Sequence, residues 1–382
     1  MVRLCAGVIV AVSMLVTMGP SAAAPPDPLA GNAALHYWRA FSVIPNLNDD
    51  QEAAVEELLD KLGPVKDLAA GAVSSSAGAI KELRRGAKHP RCVWATPLED
   101  GAETLLPQCA KARRLARMAC AHAHVAFQRG QRSEAIDDLA ATMTLGRHLG
   151  DEGILIALLV DYAIEARAIQ VAARHLGELK PAELDDFVAR IDRLPAATTM
   201  RRAMQVEKES LLEGFIREIA RPGGKERMAD VIRSFGGPED ANVKAIEKVS
   251  REELRDGAIA LRPVYDKVAP MMDLPPAEMT DPQSLLAGLS PVARALGMGL
   301  LPAAMNCRQV EVAHQTRLAM FKAAIAVVRG GPEVLKAETH KDPYAGGAFS
   351  YEKTPGGFRL LSKTTGRDGK PVTLDVGQAA SK

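Results

Sequence analysis

The chain has 382 residues and a formal net charge of +1, from 48 Lys+Arg against 47 Asp+Glu. Hydrophobic residues at 47% and charged residues at 25% exclude wholesale disorder, and the length allows two or three domains or one extended helical array. The near-neutral balance argues against polyanion binding as the main business, which needs a net basic surface.

The first residues read as an export signal. Arg3 supplies the positive charge, Leu4 to Met18 an apolar core, and Gly19-Pro20-Ser21-Ala22-Ala23 a small-residue exit. The core falls short of the ~20 residues that span a bilayer as a helix. Cleavage after Ala23 is preferred, since cleavage after Ala24 would leave Pro25 first; an uncleaved anchor is the alternative. Residues 1–23 are therefore expected to be a signal peptide, and 24–32 a proline-rich linker. Four cysteines remain in the exported chain: Cys92, Cys109, Cys120 and Cys307. An even count outside the cytosol permits disulfides, with Cys92–Cys109 the first candidate pair. The competing expectation is four buried thiols.

Helix signals fill residues 33–340. Asn48 precedes Asp49-Asp50-Gln51-Glu52, and Val55, Leu58, Leu59 and Leu62 make one face before Gly63-Pro64. Ala102 to Arg129 carries Leu105, Cys109, Ala112, Leu115, Ala116 and Cys120 near helical spacing and stops at Gly130. Helices follow over Ser133–Leu149, Ile154–Leu176, Pro181–Leu194 and Thr198–Ala220. Ser250-Arg251-Glu252-Glu253 is a capping box. Pro263 to Pro302 predicts short or kinked helices, and Ala303 to Arg329 a long one. Residues 341–382 change to short alternations around Thr354-Pro355-Gly356-Gly357 and Gly366-Arg367-Asp368-Gly369, a hairpin signature. The expected fold is all-α, a multi-helix bundle or irregular α-solenoid of about ten helices, with a small C-terminal β-hairpin module. One hairpin, Ala121 to Leu149, has tetratricopeptide-like spacing, but a solenoid needs about three units and no fixed period runs through the chain.

Asn32-Ala33-Ala34-Leu35-His36-Tyr37-Trp38-Arg39-Ala40-Phe41, Cys92-Val93-Trp94, Leu105-Leu106-Pro107 and Ala135-Ile136-Asp137-Asp138-Leu139 together resemble a group of exported helical proteins of planctomycete bacteria. The resemblance covers most of residues 32–220 and resumes at the C-terminus. It implies compartment and fold but no catalytic residues. The tail Asp342-Pro343-Tyr344-Ala345-Gly346-Gly347, with Gly357-Phe358-Arg359-Leu360-Leu361, is similar to the C-terminal β segment of type II secretion pseudopilins. That family's acidic loop, sometimes calcium-binding, would fall at Gly366 to Lys370, where one acid stands beside two bases. The pseudopilin leader motif is absent.

Candidate chemistry is sparse. On a helix Cys120 and His124 face one way at i and i+4, with His122 on the opposite side; a zinc site would need further ligands from His148, His175 or an acid. A buried histidine pair at a helix interface is the favoured alternative. Asp161 and Glu165 also share a face, and burial there would raise a pKa as acid–base work requires. Neutralisation by Arg167 and Arg174 is the commoner fate of such a pair. Nucleophile elbows, zincin motifs and phosphate loops are missing. Ser74-Ser75-Ser76 reads as close helix packing. The basic run Lys81, Arg84, Arg85, Lys88, His89, Arg91 lacks interleaved rings and reads as a solvated helix end. Aromatic content of 4% lowers a carbohydrate or nucleic-acid site, and both Trp38 and Trp94 are expected to be buried.

The leading expectation is thus an exported, non-catalytic helical scaffold or binding protein, periplasmic or secreted, with no catalytic, metal or cofactor residues assigned and no cofactor. A protein partner is left open; nucleic acid and a stable membrane span after cleavage are not expected. An enzyme with a site assembled from distant helices is one alternative, with Asp161, Glu165, Cys120 and His124 the residues to test. A secretion-envelope accessory with a pseudopilin-like tail is the other.

Overall fold

Local side-chain bonds decide where the helices begin. In a computed structural model of the protein, residues 31–236, 244, 246, 248–301 and 304–378 are described. The expected signal peptide lies outside them, as does the linker up to residue 30. Asn32, at the linker's end, is buried and caps α1 (Ala33–Val43) by accepting from the Ala34 amide. Its carboxamide also clasps the Val93 backbone, donating to the carbonyl at 3.0 Å and accepting from the amide at 2.9 Å. α2 (Asp49–Lys61) opens on the Asn48–Gln51 capping box and ends at Leu62, left-handed at φ +45° with its side chain in the core. α3 (Asp67–Ser75) and α4 (Ala77–Gly86) break at the fully buried Ser76, so the close packing read from the serine run holds for Ser76 alone, Ser74 and Ser75 being exposed.

The helix expected from Ala102 starts later. α5 is Pro107–Gln128, preceded by a 3₁₀ turn over Leu98–Glu103, and Leu105 is 79% exposed instead of lining the core. Proline disfavours helical backbone in the residue before it and fits the first helical position, so Pro107 sets the start. At the other end Gly130, at φ +75°, reverses the chain into α6 (Arg132–Gly150). α7 (Leu155–His175) and α8 (Pro181–Asp192) follow. The segment expected as one helix to Ala220 is α9 (Met200–Glu207), a π-turn (Lys208–Leu212) and α10 (Glu213–Ala220). Then come α11 (Gly224–Gly236), α12 (Arg251–Ile259) on its Ser250–Glu253 capping box, α13 (Arg262–Met271), α14 (Pro291–Leu300) and the long α15 (Ala304–Gly330). The proline-rich stretch is short helices and 3₁₀ turns, as its composition requires.

β1 (Ser350–Thr354), β2 (Gly356–Thr365) and β3 (Pro371–Gln378) form one antiparallel sheet in that order. Thr354 pairs with Gly357 around a Pro355-Gly356 turn. The Asp342-Pro343-Tyr344 segment has a local reason: Asp342 Oδ1 accepts from the Tyr344 and Ala345 amides at 3.0 Å each, and its other oxygen accepts from Ser362 on β2. The fold is all-α with a C-terminal β module.

α7 runs through all three apolar clusters: Ile169 and Ala172 in the first, Leu158 and Tyr162 in the second, Val160 and Ile164 in the third. The first cluster also holds Phe358, Leu360, Leu374 and Val376, so the sheet packs into the same core as α7 and α15. We expect Leu360→Ala, at a site with no exposure, to cost about 2–5 kcal/mol in urea unfolding. Helix and sheet signals should fall in one transition; an earlier, separate loss of the strands would show that the module folds alone.

Candidate functional site

The i, i+4 spacing on α7 brings Asp161 and Glu165 to one face, and that face is inside the protein, 1% and 0% exposed. Arg147, on α6, grips Glu165 with both arms of its guanidinium, Nε on Oε1 and Nη2 on Oε2 at 3.1 Å. His314, on α15, donates from Nε2 to Oε2 at 3.2 Å. Burial alone would raise the Glu165 pKa, but the His314 hydrogen bond and charge, with Arg147, outweigh it and hold the carboxyl below its usual range. Asp161 is the opposite case. Neither of its oxygens has a hydrogen-bond partner among the described residues. They face a notch on α6 where a Cβ on Gly146 would lie 2.5 Å from Oδ1 and one on Gly150 3.0 Å from Oδ2. Burial, reinforced by the Glu165 charge, pushes its pKa well above the usual value against the weaker pull of Arg147.

Arg167 and Arg174, expected to neutralise these acids, turn outward instead. A second buried pair, unforeseen from sequence, lies beyond them: Glu311 takes Arg308, the Met200 amide at 2.9 Å and the Tyr162 hydroxyl at 3.4 Å. Arg147 and His314 carry no local signal of this role, because their partner Glu165 lies on another helix, whereas Arg308 and Glu311 are an i, i+3 pair on α15 whose spacing was legible in the sequence.

Around Cys120 and His124 the structure supplies histidine contacts. His124 Nδ1 is 2.8 Å from His175 Nε2, its Nε2 is 2.8 Å from the Gly63 carbonyl oxygen, and His175 Nδ1 is 2.9 Å from Glu178. His122 points the other way, to Asp138 at 2.7 Å, as the helical period demands. Burial lowers the His124 pKa and pushes His175 down to about 4. No group of three or more His, Cys, Asp or Glu among the described residues is arranged to hold a metal ion.

The Cys92–Cys109 bond is not formed. All four described cysteines are free and buried, packed as apolar side chains. Burial pushes Cys120 up to about 12 and Cys109 and Cys307 to about 11, so none is a thiolate at neutral pH. Trp38 is also corrected: it is 36% exposed, edge-on to the buried Trp94, because α1 lies at the rim of its cluster. The basic run behaves as a helix end, with Arg84 paired to Asp138 and Glu134 and Arg85 to Glu82.

An open cleft of about 540 Å³ lies on the outer side of α7, walled by the end of α2, by α15 and by β3. Arg167 spans to Asp60 at 3.2 Å and the Leu59 carbonyl at 3.3 Å. Arg174 donates from Nε to the Leu62 carbonyl at 3.3 Å. Arg317 enters from α15, half-buried, and burial depresses its pKa. Across the cleft Asp375 is taken by Arg359 of the neighbouring strand, at 2.6 and 3.0 Å.

No protein-family model matches this chain, and neither a curated protein nor a solved structure matches it. No helix among the described residues is long and apolar enough to cross a membrane.

Proposed function

We propose that the chain is an exported helical binding protein, working outside the cytosol without catalytic machinery of its own. One observation carries the proposal: the acid–base candidates are shut inside the core while the open cleft beside α7 is lined by groups that bind rather than react. Glu165 is neutralised by Arg147 and His314, and Asp161 lies in a glycine notch at 1% exposure. A general acid or base must come within hydrogen-bond reach of its substrate, and these two do not meet solvent. Thiols with raised pKa values are poor nucleophiles. The cleft beside α7 offers arginine, glutamine and threonine side chains in a volume suited to a small molecule.

Native mass spectrometry of the protein recovered after export from a bacterial cell, with and without reductant, tests this. The expected species is residues 24–382 with no covalent adduct and no mass change on reduction. A retained zinc ion lost with His124→Ala, or a covalent intermediate, would turn the assignment to an enzyme. An intact leader would remove the export part.

The envelope-accessory alternative draws only on the sheet. Since β2 and β3 are built into the helical core, it is tested by charge changes on the exposed strand residues Glu352 and Lys353, not by deleting the tail. Loss of an envelope partner in a pulldown with those variants would favour it.

A further inference from the structure

We infer that the cleft beside α7 is a binding site for a small organic oxyanion, a molecule carrying a phosphate, sulfate or carboxylate group, held by the guanidinium groups of Arg174 and Arg317. This deepens the binding-protein proposal by naming the ligand chemistry of that site.

Three observations converge on it. The first is Arg317. Its side chain is half-buried on α15, opens into the cleft, and has no carboxylate or hydrogen-bond partner among the described residues. A charge drawn partly out of water without a counter-ion costs folding free energy, so a fold tolerates it where an anion from solution can complete the pair. The depressed pKa has burial as its sole cause, with no acid acting on the group.

The second is that the acids of the cleft are spoken for. Asp60 holds Arg167, and Asp375 holds Arg359. Arg174 has no carboxylate partner among the described residues; its contact is the Leu62 carbonyl at the end of α2. That bond uses only Nε and orients the head, leaving the remaining guanidinium donors for a ligand. Two forks facing one recess favour planar or tetrahedral oxyanions, which arginine binds in a bidentate manner.

The third is shape and lining. About 540 Å³ holds a molecule of metabolite size. No aromatic ring lines the cleft among the described residues, so these offer no platform for stacking a base or a sugar ring, while Gln170 and Thr373 can serve hydroxyl groups. Charge and hydrogen bonds, not stacking, would select the ligand.

The test is calorimetric titration and thermal unfolding of the full chain with inorganic phosphate, sulfate and citrate, each against sodium chloride of matched ionic strength. Phosphate and sulfate report a tetrahedral head group, citrate a carboxylate. At least one should bind saturably and raise the melting temperature where chloride does not. Arg317→Gln should weaken that binding by at least ~10-fold. The same variant should raise the melting temperature of the anion-free protein, because the unpaired charge is gone. A merely structural arginine would lower it. Arg174→Gln should weaken binding comparably and serves alone if Arg317→Gln does not fold. Absence of saturable binding by all three anions, or binding that both variants leave intact, overturns the inference. The export and non-catalytic assignments would survive that result, since they rest on the N-terminal sequence and on the sealed core and are tested separately by native mass spectrometry.

Discussion

Glu165→Gln should lower the unfolding free energy by about 3–5 kcal/mol near neutral pH, the cost of leaving a buried charge without its partner. The charge is Arg147, which is 6% exposed and has no other full partner. Glutamine would also keep only one acceptor oxygen where Glu165 offers two, to Arg147 and His314. Replacing both Arg147 and Glu165 by methionine and leucine should cost far less than either single change, since an apolar pair needs no desolvation. Urea unfolding of the four proteins in one double-mutant cycle reads this directly. Equal and additive losses would mean that the two side chains do not act as a pair. A further sign follows from Asp161. In Glu165→Gln the repulsion that reinforces burial at Asp161 disappears and the attraction of Arg147 remains, so the Asp161 pKa should fall from its wild-type value while burial still holds it up.

In the wild type, Asp161→Asn should do the reverse and stabilise the protein at pH 7. An acid whose folded pKa lies above its unfolded value of 3.8 binds more protons in the native state between the two values. Stability therefore falls by ~1.4 kcal/mol for each pH unit above 3.8 until the folded pKa is reached. Asparagine carries no such penalty. The gain should vanish below about pH 4, where both folded and unfolded Asp161 are protonated. Glu165 has the opposite sign: its lowered pKa gives stability that is present above 4.5 and lost as pH falls through the folded value. The difference between wild type and Asp161→Asn isolates the first effect from the second. A difference that does not change with pH would show that Asp161 is ionised in the folded protein.

Both effects arise where α6, α7 and α15 meet, and only part of that meeting is written locally. The side of α7 that carries Asp161 and Glu165 follows from their spacing, and so does the divergence of His122 and His124 on α5. The partner of Glu165 does not. Arg147 is 18 residues away and His314 on the last helix, so no window of sequence contains the pair. Arg167 was the nearer candidate in sequence, but two residues past Glu165, about half a helical turn, it points to the other side of α7, to the cleft and Asp60.

What the sequence by itself determined is whatever a few neighbouring residues can settle. Asn48 with Gln51 and Ser250 with Glu253 start helices because their side chains satisfy amides within the same turn. Gly130 stops one because it tolerates a positive φ. The sheet register follows from turn residues and alternation. Tertiary structure alone decided which polar groups were sealed and which were left open. Leu105 became exposed and Trp38 half-exposed, the cysteines stayed free, and Arg317 came into an open cleft without a counter-ion. Burial and charge pairing depend on which helices pack against each other, and that is a sum over distant contacts that no local spacing encodes.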